Sequence, residues 1–238
     1  MPKYLIFIVL AILTITSCKK EKTISHLVED KIIRINDSNY YYSVAVPYDF
    51  NENDAYPMFL ALHWGGYTDF QSGANFLYTF ALEALEDFKG FIVAPSCPEA
   101  AGWIHENSET FILTLIDKIK TDYNIDEDKI VIGGYSMGGV GTWYYASTYT
   151  DIFKVAVPIS SSPPNYLRPI TDIVPTYAIH GTDDEEFSLQ TVKKVVREIK
   201  NNGNIIRLTE VLGASHYETD KFIDPLAESL EWVESYWE

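Results

Sequence analysis

Ile130-Val131-Ile132-Gly133-Gly134-Tyr135-Ser136-Met137-Gly138-Gly139 is the stretch on which the reading of this chain turns. Ile130–Gly133 is a short, continuous apolar run of the kind that forms a strand buried on both faces. From Gly138 to Tyr149 the apolar residues recur at helical spacing, so Ser136 stands at a sharp strand-to-helix turn. Such a turn forces the serine into a strained backbone conformation. It also leaves no room for a Cβ two residues to either side, where Gly134 and Gly138 stand. The hydroxyl is thereby aimed outward. A Gly-x-Ser-x-Gly pattern is short enough to arise by accident; the strand before it, the helix after it and the additional Gly139 give it meaning as a nucleophile turn.

Outward from this point, β-branched and aromatic runs alternate with stretches of helical period, the pattern of a mostly parallel sheet covered on both faces. Lys31–Ile35 and Tyr40–Val46 read as an opening antiparallel pair. Met58–Leu62, Phe91–Ala94, Ile130–Gly133, Val155–Ile159, Thr176–Ile179 and Ile205–Val211 complete about eight strands. Helices are expected over Asn75–Phe88, Glu109–Tyr123, Gly138–Tyr149, Leu189–Asn201 and Pro225–Trp237. In doubly wound sheets the functional groups sit in loops at the carboxyl ends of strands.

A serine hydroxyl needs a base, and a strand–serine–helix turn calls for the order Ser, acid, His. The strand Thr176–Ile179 leads into His180-Gly181-Thr182-Asp183-Asp184, and Ile205–Val211 into Gly213-Ala214-Ser215-His216. Ser136, Asp184 and His216 are therefore the candidate catalytic set. Spacing alone allows Asp183 or Asp184 to face the imidazole; Asp184 is preferred, with Asp183 as a turn-former and Glu185 and Glu186 facing solvent. His26, His63, His105 and His180 read as structural. Two oxyanion donors are expected, one from the N–H of Met137 and a second from Leu62-His63-Trp64-Gly65-Gly66, where Gly65 leads and Trp64 follows. Trp103, Trp64 and Trp143 are either stacking surfaces for a substrate or packing residues, and Tyr135, beside the nucleophile, is a further candidate contact.

The amino terminus places Lys3 before an apolar run from Tyr4 to Leu13, as a secretory signal does. Residues 1–17 read as a leader ending in Ile15-Thr16-Ser17-Cys18, which resembles a bacterial lipobox, with Cys18 lipidated and residues 18–27 serving as a tether. The apolar run is too short to span a bilayer. The expected location is the bacterial cell envelope, with membrane contact through the lipid alone. Once Cys18 is acylated, Cys97 has no disulfide partner and reads as a buried structural thiol.

The 238 residues, 47% hydrophobic, suffice for one catalytic domain over 28–238. A formal net charge of −16 repels phosphate backbones, so nucleic acid is not an expected partner. Cysteines and histidines are too scattered for metal-ligand spacing, and the chemistry calls for no cofactor.

Leu62–Gly66, Ala94-Pro95-Ser96-Cys97-Pro98, Gly102-Trp103, Ile130–Thr142, His180–Asp184 and Gly213–His216 together resemble the α/β-hydrolase superfamily. Within it they resemble the small secreted esterases related to poly(3-hydroxybutyrate) depolymerases, feruloyl and acetylxylan esterases, and prolyl-oligopeptidase-like hydrolases. The resemblance covers residues 40–238. It implies an α/β-hydrolase fold and a Ser-His-Asp acyl-enzyme mechanism on a small-molecule or polysaccharide ester, with Asp184 completing the triad. One departure stands out: the family's His-Gly in the oxyanion loop is His63-Trp64 here. Ser160–Pro175, rich in proline, leaves no room for a helical lid, and an open site suits acetyl or feruloyl groups protruding from glycans. Two rivals remain: a serine peptidase of prolyl-oligopeptidase type, and an inactive, lipid-anchored binding protein on the same scaffold.

Overall fold

Met58, Leu60 and Leu62 of strand β3 (Tyr56–Leu62) belong to one buried cluster, and Phe59 and Ala61 to another. This period-two alternation in a wholly apolar run means that both faces of the sheet are covered. The computed structural model describes residues 25–66, 69–100 and 102–237. The expected leader 1–17, Cys18 and most of the 18–27 tether lie outside them.

The other strands are β1 (His26–Ile35), β2 (Ser38–Pro47), β4 (Phe91–Pro95), β5 (Ile125–Tyr135), β6 (Val155–Ile159), β7 (Thr176–Gly181) and β8 (Ile206–Val211). They form one eight-stranded sheet in the order β1-β2-β4-β3-β5-β6-β7-β8. Pairing is antiparallel for β1–β2 and β2–β4 and parallel from β4 to β8. The opening hairpin turns at Asn36-Asp37, both at positive φ (48° and 67°), residue types that tolerate this conformation. Strand β1 starts at His26, two residues inside the stretch expected as tether. His26 is buried there, its Nε2 donating to the Gly90 carbonyl at 3.0 Å.

One face carries α3 (Glu106–Asp122), α4 (Met137–Thr148) and α5 (Leu189–Asn201), through Phe111, Leu115, Trp143, Val192 and Ile199. The other carries α1 (Ser72–Phe76), α2 (Leu82–Ala84) and α6 (Ile223–Glu234), through Phe76, Leu226, Leu230 and Val233. Most boundaries fall within three residues of the expected ones, as frayed ends do, but β1 and β5 each start five residues before the expected strand. The expected helix Asn75–Phe88 differs in kind, for its middle, Leu77–Ala81, is a π-helical segment between α1 and α2. The wider turn stacks Phe76 on Phe80, with ring centroids 5.3 Å apart, and both rings pack against Trp64. Between β6 and β7 the chain adds a single 3-10 turn, Asn165–Leu167, and no lid.

Three buried histidines sit in this framework with one nitrogen each on a main-chain carbonyl: His26 on Gly90, His63 on Trp64 and His180 on Phe187. Burial lowers the pKa of each below the ordinary imidazole value near 6.5. The unfolded chain then binds more protons than the folded one below that value, so stability is full above pH 6.5 and falls as pH drops through it. Urea denaturation at pH 8, 6.5 and 5.5 should show the midpoint fall on acidification; a constant midpoint would mean that these rings protonate without cost in the fold.

Candidate active site

Strand β5 ends at Tyr135, and α4 begins at Met137, so Ser136 makes the whole connection. Its φ of 55° and ψ of −115° lie where a non-glycine residue is strained, a conformation stored at functional positions. The close approach that permits it is visible at Gly138, where a Cβ would lie 1.9 Å from the Leu62 carbonyl oxygen. At Gly134 an added Cβ would lie 2.6 Å from the Gly138 carbonyl carbon and oxygen.

The Ser136 hydroxyl lies 2.9 Å from His216 Nε2, and His216 Nδ1 lies 3.0 Å from Asp184 Oδ2. Nδ1 therefore carries the proton toward the carboxylate, and Nε2 is free to accept from the serine. The Asp184 side chain has no exposed surface, and its Oδ1 accepts the N–H groups of Glu186 (3.0 Å) and Phe187 (2.8 Å). Burial would raise its pKa, but the hydrogen bonds from His216, the Phe187 N–H and Ser160 outweigh burial and hold it at about 2. Asp184 is thus a carboxylate at any working pH. Asp183, by contrast, is exposed; its N–H bonds the Ala214 carbonyl, and Thr182 donates to its side chain. The structure separates two adjacent aspartates that spacing could not.

Met137 opens α4, so its N–H has no intrahelical partner. Gly65 lies opposite, where an added Cβ would stand 3.4 Å from Met137 Cβ. His63 holds the intervening loop: its Nδ1–H donates to the Trp64 carbonyl at 2.6 Å, and its Nε2 accepts the Cys97 N–H at 2.9 Å. The pairing requires a neutral imidazole, consistent with its lowered pKa. Cys97 is buried and its thiol pKa is raised by that burial, as expected of a structural cysteine. The Trp64 side chain, which marks the departure from His-Gly, inserts edge-on among Phe76, Phe80 and Tyr135 at centroid distances of 5.0, 6.4 and 6.0 Å. It anchors the His63–Gly66 loop by packing.

A cavity of about 710 Å³ opens over Ser136. Trp64, Ile104, Met137, Val140 and Phe187 give it apolar walls, and Glu186, Tyr217 and Thr219 a polar rim. Trp103 and Tyr135 border it, yet each is only 1% exposed, which corrects the expectation that they offer ring faces to a substrate. Trp103 donates its indole N–H to the His63 carbonyl, and Tyr135 its hydroxyl to the His216 carbonyl. Both are braces for the loops that carry the site. Trp143 is buried in the core.

Three participants were not read from the sequence. Ser160, at the end of β6, donates its hydroxyl to Asp184 Oδ2. Glu185 and Glu186, expected toward solvent, are exposed but engaged: Glu185 accepts the His216 N–H at 2.9 Å, and Glu186 the Tyr217 hydroxyl at 2.7 Å. The signal for Ser160 was its place at a strand's carboxyl end; nothing in the sequence named its partner. Among the described residues no cluster of His, Cys, Asp and Glu could hold a metal ion.

Comparison with known proteins accords with this geometry. Over 167 residues the chain is 25% identical to a probable feruloyl esterase C of Aspergillus niger, covering 68% of this chain and 62% of that protein. Over 129 residues it is 30% identical to a bifunctional acetylxylan esterase/xylanase of Neocallimastix patriciarum, covering 50% and 18%. The chain thus spans less than two thirds of either relative. Among solved structures, a ferulic acid esterase superposes with a TM-score of 0.74 at 18% identity, over 89% of this chain and 99% of that one. The feruloyl esterase module of Clostridium thermocellum, complexed with sinapinate, gives 0.70 at 15% identity, over 86% and 88%. These likenesses place the sheet and its covering helices in the α/β-hydrolase fold. Residues 91–234, which run from β4 to the end of α6 and include Ser136, Asp184 and His216, match the profile described as phospholipase/carboxylesterase, and the chain belongs to that family.

Proposed function

We propose that this protein is a serine carboxylic ester hydrolase that acts through an acyl-enzyme on Ser136. The observation that carries the reading is the assembled relay from Ser136 through His216 to a buried, ionised Asp184. Ser136 Oγ attacks the ester carbonyl carbon as its proton passes to His216 Nε2, and Asp184 stabilises the imidazolium. The oxyanion meets the N–H of Met137 and a second from Gly65 or Trp64. The bond to the alcohol breaks, the alcohol leaves with the proton from Nε2, and water repeats the sequence in reverse to free the acid and Ser136.

Acetyl or feruloyl esters of glycans are the proposed substrates. The esterases among the relatives and the absence of a lid between β6 and β7 support this choice. Attachment to a bacterial envelope through lipid on Cys18 is part of the same proposal and rests on residues 3–18. Glu186 is the only carboxylate among the described cavity-lining residues, and no lysine or arginine lines it. That charge pattern favours uncharged esters over anionic ones.

A fluorophosphonate probe should add one adduct to the protein and none to Ser136→Ala, by intact mass. An unlabelled, folded wild type would instead direct attention to the binding-protein reading. Asp184→Asn should lower kcat by about a thousandfold to ten-thousandfold, as loss of the correct imidazole tautomer does. Asp183→Asn should stay within about threefold of wild type, as an exposed substitution does; the reverse order would reassign the acid. Wild type should hydrolyse phenyl acetate faster than 4-acetoxybenzoate, whose leaving group carries a carboxylate. Glu186→Gln should narrow that ratio several-fold at low salt and less at about 0.5 M salt, where charges are screened. An unchanged ratio would remove Glu186 from substrate selection.

A further inference from the structure

Tyr135 of β5 pairs with Ile159 of β6, so Ser136 and Ser160 are the next residues on two adjacent parallel strands. Both leave their strands at positive φ, 55° for Ser136 and 47° for Ser160. A left-handed conformation is uncommon outside glycine and asparagine, and it costs free energy wherever a non-glycine residue adopts it. At Ser136 the cost exposes a nucleophile. At Ser160 the side chain turns the other way, into the protein, and the residue has no exposed surface.

What the Ser160 side chain meets there explains the conformation. Its hydroxyl donates to Asp184 Oδ2, the same oxygen that accepts His216 Nδ1–H, and it lies 3.4 Å from Nδ1 itself. The Ser160 N–H is held by the Ile179 carbonyl of β7, the strand that leads to Asp184. With the two main-chain donors on Oδ1, Ser160 brings the donors on the carboxylate to a full set, leaving its plane no freedom to rotate away from the imidazole. β6 is the strand between the nucleophile's strand and the acid's, so the first residue past its end is the one placed to reach between them.

We propose that Ser160 is a positioning residue of the active site, which holds the Asp184 carboxylate in the orientation that keeps His216 Nδ1 protonated and Nε2 directed at Ser136. The inference rests on the hydrolase reading and adds a fourth polar group to it. Ser160 touches no substrate; it acts through Asp184.

The test is a double-mutant cycle read by kcat and KM on p-nitrophenyl acetate and by the rate of fluorophosphonate labelling. Ser160→Ala removes the hydroxyl and keeps the strained backbone, whereas Ser160→Gly removes the hydroxyl and relieves it. A hydrogen bond to an ionised group justifies an expected loss in kcat of roughly tenfold to a hundredfold for both, with KM little changed. The glycine variant should be the more stable of the two and yet as impaired. In an Asp184→Asn background either substitution should cost less than about twofold, because the group through which Ser160 acts is already disabled. Equal losses in both backgrounds, or activity that follows thermal stability instead of the hydroxyl, would overturn the positioning role. If Ser160→Ala fails to fold, Ser160→Gly alone decides. Wild type that neither labels nor turns over would take down the hydrolase reading and this inference together; active wild type with unaffected Ser160 variants would take down only the latter.

Discussion

The parallel register of β5, β6, β7 and β8 is the constraint on which the site depends. Pairings of Tyr135 with Ile159, Ile159 with Ile179 and Gly181 with Val211 bring four strands to their ends side by side. Ser136, Ser160, the Asp184 loop and the His216 loop then emerge in that order along one edge. Because the side-chain period of a strand is two, a slip of one residue in any of these pairings would also exchange the side chains that the strand presents to the two cores. Packing of the two cores and alignment of the relay are thus secured by the same hydrogen bonds. The strand register sets where these side chains start, and the loop contacts finish their placement.

The loops are tied to one another where the strands stop. The acid loop reaches the histidine loop three times in succession, through Asp184 to the ring, Glu185 to the main chain and Glu186 to Tyr217. From beneath, Tyr135 holds the His216 carbonyl. On the other side of the serine, His63 ties its own loop to Cys97, and Trp103 closes the circuit by bonding the His63 carbonyl. Several of these contacts use residues that are buried or nearly so, where an unmade hydrogen bond is costly. The arrangement is therefore held by hydrogen bonds within the chain itself.

Much of this was legible in the sequence, for identifiable reasons. The eight strands follow from apolar runs too short and too branched for helices. Ser136 follows from glycines that only a strand-to-helix turn requires, and His216 from its place after the last strand. What escaped was whatever depended on partners distant in the chain. Trp103 and Tyr135 look like ligand aromatics in sequence, and only the carbonyls they bond show them to be braces. The π segment at Leu77–Ala81 has ordinary helical composition; its wider turn answers to Trp64, thirteen residues or more away. Ser160 carries no motif at all, since its role arises from lying one step beyond Ile159 in register.

The anchoring of His26 fixes where the described chain enters the sheet relative to the cavity. β1 enters the sheet beside Pro47 and bonds Gly90, just ahead of β4, while Ser25 accepts the Tyr48 N–H. That is the end of the sheet at which the parallel strands begin, and Ser136 stands where they finish. The six residues from Ile130 to Tyr135 separate the two levels by about 20 Å at the rise of an extended chain. The mouth of the cavity therefore opens at the end of the sheet opposite to Ser25. The depth of the strands themselves thus keeps the point where the described chain enters the sheet apart from the point where a group would reach Ser136.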